Sequence, residues 1–129
     1  MMSEFQENNY ISRSVVIEQA EQISENILNT TVYHKYLDSK AKVKENPELW
    51  ARVMEYRKRN FFLQNCDDDV KQGNIDNMQN EFHDILSNKL VKDYLRRELV
   101  LCRFIQKISA KIAEKIEMET DFLESFMRK

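Results

Sequence analysis

The chain has 129 residues, 33% of them charged, with a net charge of −2, one glycine and one proline. That length suits one domain with a modest core, the charge lacks the footprint of a nucleic-acid binder, and the scarcity of turn-formers points to an all-α fold. The longest apolar run, Leu99 to Cys102, is far too short to span a bilayer, and Met1-Met2-Ser3-Glu4-Phe5 has neither the basic nor the apolar region of a secretory signal. A cytoplasmic protein with no membrane partner is expected.

Residues 1–12 are polar, without periodicity, and read as a mobile leader. A first helix begins near Ser12 or Ser14 and carries Val16, Ala20, Ile23 and Ile27 at helical spacing. Asn29, Thr30 and Thr31 interrupt it, because short polar side chains compete with the helical backbone and suit caps. A second helix follows from about Thr31 to Lys44, with Tyr33, Tyr36 or Leu37, Ala41 and Val43 as its apolar edge.

Asn46 and Pro47 give the clearest punctuation: proline fits the first turn of a helix, and asparagine before it is a good N-cap. The third helix is expected from Pro47 to about Gln72, with Leu49, Val53, Tyr56 and Leu63 on one stripe and Trp50, Met54 and Phe61 beside it. Gly73 can close it in the left-handed conformation, with Asn74 extending the break. Asp76 and Gln79 have capping-box spacing for a fourth helix bearing Met78, Phe82, Ile85 and Leu86.

Ser87 and Asn88 cap a fifth helix from Leu90 to about Ile116, and the rest of the chain is organised around it. Its stripe is Val91, Tyr94, Leu95, Leu101, Ile105, Ile108, Ile112 and Ile116, interrupted by Glu98. At about 1.5 Å per residue it would be about 40 Å long, more than a small globule can cover. Met118, Phe122, Leu123 and Phe126 keep a similar spacing in 118–129, which reads as a helical extension or tail. The expected architecture is therefore about five helices in antiparallel hairpins or a bundle with a long C-terminal helix, in an oligomer.

Reactive groups are sparse. Cys66 and Cys102 make no metal or redox spacing, and His34 and His83 lack the Glu-x-x-His pattern of a di-iron bundle. Asp67-Asp68-Asp69 is not followed by a calcium loop, and acids dilute the basic clusters Arg57-Lys58-Arg59 and Arg96-Arg97. No catalytic residue, cofactor, metal, small-molecule substrate or direct nucleic-acid contact is expected. The third and fifth helices instead carry more apolar surface than one narrow stripe can hold. Leu49, Trp50, Val53, Met54, Phe61, Phe62, Leu101, Ile105, Ile108 and Ile112 form a candidate oligomer interface, or alternatively part of a broad intramolecular core.

A set of breaks and apolar positions resembles the bacterial YlbF/YmcA/YheA family over about residues 13–117. It comprises Ala20, Tyr33-His34-Lys35-Tyr36, Asn46-Pro47-Glu48-Leu49, Ser87-Asn88-Lys89-Leu90-Val91-Lys92-Asp93-Tyr94-Leu95 with Glu98 and Leu99, and Ile108 to Ile112. The resemblance implies a small cytoplasmic all-helical protein that forms homo- or hetero-oligomers. It further implies a regulatory role in competence, sporulation and biofilm formation, within a complex linked to ribonuclease-dependent mRNA processing. YlbF-type members carry a cysteine-bearing C-terminal extension associated with an iron–sulfur cluster; this sequence ends Met127-Arg128-Lys129 without one, so cluster binding is not carried over and a YheA-like paralogue stays open. The resulting expectation is a non-catalytic regulatory or scaffolding protein whose partners are copies of itself, family paralogues or RNA-decay proteins. A small helical chaperone or adaptor is the alternative.

Overall fold

The computed structural model describes residues 10–65 and 68–116, with the backbone alone for 68–72. Most of the expected leader, Cys66 and Asp67, and the expected tail 118–129 lie outside the described residues, which are all-helical without strands. Among the described residues six helices are present where about five are expected: α1 (Arg13–Leu28), α2 (Thr31–Lys44), α3 (Pro47–Gln64), α4 (Asp68–Glu81), α5 (His83–Leu86) and α6 (Lys89–Ala113).

Side-chain caps explain the breaks that the sequence foretells. Thr30 Oγ1 accepts from the Tyr33 N–H at 3.2 Å and donates to the Ile27 carbonyl at 2.7 Å, tying the end of α1 to the start of α2. Asn46 Oδ1 accepts from the N–H groups of Glu48 and Leu49, and Asn88 Oδ1 from those of Leu90 and Val91. Such caps contribute about 1 kcal/mol each by satisfying otherwise orphaned donors. Ser12 holds the N-cap position of α1 without capping it; its Oγ lies 3.1 Å from that of Ser14.

Three boundaries differ from expectation. The third helix stops at Gln64, because Asn65 closes it: its backbone N–H donates to the Phe62 carbonyl and its amide to the Phe61 carbonyl at 2.8 Å. Gly73 does not end a helix but lies inside α4, with no positive φ and nothing within 4 Å of where a Cβ would stand. Asp76 and Gln79 are consequently mid-helix. The expected fourth helix is split instead at Phe82, whose φ of −103° and ψ of 18° leave the helical region and separate α4 from α5. Finally, α6 ends at Ala113 and Ile116 stands 58% exposed beyond it.

The core is formed by Val43, Val53, Leu63, Met78, Phe82, Ile85, Val91 and Tyr94. The most extensive helix pairing is α2 on α6, with Tyr36 stacked on Tyr94 at 6.0 Å between ring centroids and Trp50 of α3 tilted against Tyr94 at 5.7 Å. Ser39 is buried among these elements, and its hydroxyl is satisfied by donating to the Tyr36 carbonyl. Among the described residues, α1 has no buried residue, and neither does α6 after Leu101.

Candidate interaction surface

Along α6 one apolar stripe meets two environments. In the proximal half Val91, Tyr94 and Leu101 are buried in the chain's own core. In the distal half Ile105 is 43% exposed and Ile112 57% exposed, while Ile108 is half-buried. The turn-by-turn spacing is unbroken across this change. An open groove of about 470 Å³ runs beside the distal stripe, lined by Phe104, Lys107, Ile108, Lys111 and Ile112.

Glu98, the polar interruption of the stripe, marks where the core nears its end. Its carboxylate accepts from Arg57 of α3 at 2.6 Å, and the same guanidinium donates to the Tyr94 hydroxyl at 3.3 Å. Burial is the largest influence on Arg57 and opposes its charge, but the bond to Glu98 together with the nearby Glu98 carboxylate and the Tyr94 and Tyr36 phenols outweighs it, so the guanidinium is held protonated above its ordinary range. Burial likewise pushes the Tyr94 phenol up to about 12. The neutral phenol is thus the form the fold favours; its contribution is intact below pH 10 and lost as pH rises through 12.

The basic clusters of α3 and α6 are largely consumed within the chain. Arg52 donates to the Glu81 carbonyl at 2.7 Å and to Asp84 at 3.1 Å, and this bond holds the Asp84 carboxyl below its ordinary range. Arg59 pairs with Glu81 at 2.6 Å and with Glu55 at 3.1 Å, while Arg96 and Arg97 both reach Asp93. The guanidinium carbons of Arg52 and Arg59 lie 4.4 and 5.3 Å from the centroid of the Phe82 ring, giving the core an ionic rim.

The ten interface candidates divide by environment. Val53 and Leu101 are buried inside the chain; Leu49, Trp50 and Met54 are half-buried against the core; Phe61 and Phe62 are 69% and 63% exposed at the end of α3. Phe61 and Phe62 stand edge to face at 6.4 Å. Together with Ile105, Ile108 and Ile112 they are the candidates with apolar surface left to offer. Sequence reasoning did not include α1 in this set, yet Val16, Ile17 and Leu28 of α1 are between 48% and 58% exposed, and Ala20 is exposed as well. The available signal was the row Ile17, Ala20, Ser24, Leu28, whose period matches a helix face.

His34, His83 and Cys102 are exposed. Among the described residues no three His, Cys, Asp or Glu side chains gather as metal ligands, and no helix is long and apolar enough to cross a membrane. A family model described as control of competence regulator ComK, YlbF/YmcA, matches residues 16–117, well over half of the chain. No curated protein and no solved structure matches it.

Proposed function

The chain belongs to the YlbF/YmcA family, described by control of the competence regulator ComK, and from that membership we propose a non-catalytic regulatory or scaffolding protein that works through helix-mediated self-association and contacts with other proteins. The observation that carries this reading is the uncovered distal half of α6, where Ile105 and Ile112 continue the core's own stripe into solvent. Exposing such a stripe costs about 25 cal/mol per Å² relative to covering it, so a second helical surface gains by docking there. Family paralogues and RNA-decay proteins are the further partners, and competence, sporulation, biofilm formation and ribonuclease-dependent mRNA processing the processes it would serve.

The mass of the purified protein, measured by light scattering over a hundredfold range of concentration, tests the self-association. A mass of at least two chains at the upper concentrations, falling on dilution, is expected. A mass of one chain throughout would overturn the reading.

A further inference from the structure

Two of the surfaces that one chain leaves open, on α1 and on the distal half of α6, carry opposite charge. On α1, Ile17, Ala20, Ser24 and Leu28 share an exposed face at helical steps of three and four, and Glu18, Glu21 and Glu25 each follow a member of that row by one position. On α6, Ile108 and Ile112 belong to the distal stripe, and Lys107 and Lys111 each precede a member by one position, with Arg103 one turn earlier. The other edge of this stripe carries Cys102, Gln106, Ser109 and Ala113, none of them charged at neutral pH. Among the described residues Glu18, Glu21, Glu25, Arg103 and Lys107 make no ion pair, and Lys111 makes only an exposed one with Glu114 at 3.5 Å. Each surface is thus a row with one charged edge, apolar on α6 and apolar but for Ser24 on α1, and the edges are complementary.

We infer that the occupant of the distal α6 groove is α1 of a second copy of this chain. This rests on the self-association proposed above and adds its geometry. The chain's own α1 is held elsewhere: Thr30 Oγ1 bonds both Ile27 and Tyr33, and the Asn29 amide donates to the Glu25 carbonyl at 3.1 Å, so the junction with α2 is fixed by hydrogen bonds. A two-fold pair lets each copy place α1 on the other's α6, which covers these two surfaces on both chains and closes the assembly. Charges that follow the row on one helix and precede it on the other fall on the same side only when the two helices run parallel, as at the flanking positions of a parallel coiled coil. The seated α1 therefore runs parallel to the partner's α6, its acids beside Lys107 and Lys111.

Charge reversal tests this by sedimentation velocity, with circular dichroism as the check that the exposed substitutions leave helix content intact. Lys107→Glu with Lys111→Glu weakens the dimer by about tenfold or more, because each pair occurs twice and attraction becomes repulsion. Glu21→Lys with Glu25→Lys does the same, and the chain carrying all four substitutions regains the wild-type dimer. If either double variant dimerises as wild type does, or if the fourfold variant stays dissociated, α1 is not the occupant, although self-association itself stands. A wild-type chain that sediments as a monomer at all concentrations overturns both.

Discussion

Phe82→Ala lowers the free energy of unfolding by about 3 to 5 kcal/mol, the range for removing a fully buried aromatic side chain. Phe82 has no exposed surface, and it meets Tyr56 of α3 edge to face at 5.4 Å. Arg52 and Arg59 lie against the same ring, so its loss also unseats the groups that tie α3 to Glu81 and Asp84. The position is a break in the helix as well as a core residue: α4 stops there, and the side chain packs against α3. Urea denaturation followed by circular dichroism measures the effect. A midpoint shift worth less than about 1 kcal/mol would place the centre of the core elsewhere.

Ile105→Glu combined with Ile112→Glu abolishes self-association, with a rise of at least about a hundredfold in the dissociation constant. Each isoleucine buried at a contact contributes about 1.5 to 3 kcal/mol, and a carboxylate in its place must be desolvated to dock. The isolated chain is little affected, because both residues are already about half exposed and neither belongs to the core. Light scattering and a thermal melt at low concentration separate the two consequences. A variant with wild-type mass would remove the distal stripe from the interface; a collapse of the melt would show that it supports the fold instead.

The contrast between these substitutions shows what the sequence made legible. Asn46-Pro47 and Asn88 announced the starts of α3 and α6 because an N-cap is a local bond between a side-chain oxygen and nearby N–H groups. Thr31 to Lys44 was readable for the same reason. Gly73 misled because its freedom permits a left-handed turn without requiring one, whereas Asn65 could close the helix with its own amide. Ser39 escaped a reading by apolar period although it is buried, since its hydroxyl finds a carbonyl one turn back.

Periodicity was weakest at the candidate interface. Val53, Leu101 and Ile105 obey one rule of spacing, and only the placement of α2 and α3 decides that the first two are covered by their own chain and the third is open. Trp50, a candidate for its size, is half-buried, its ring lying against Tyr94 of its own chain with Lys44 Nζ 5.4 Å from its centroid. The acidic row of α1 and the basic row of α6 were both visible as residues. Their relation was not, because it depends on α1 and the distal half of α6 both being left uncovered in a single chain.

Hydrogen exchange along α6, followed as the protein is diluted, tests the proposal that one half of the helix serves the fold and the other a partner. Amides from Val91 to Leu101 are expected to keep the same protection at every concentration, while those from Arg103 to Ala113 lose theirs as the chains dissociate. Equal, concentration-independent protection along the whole helix would contradict the account.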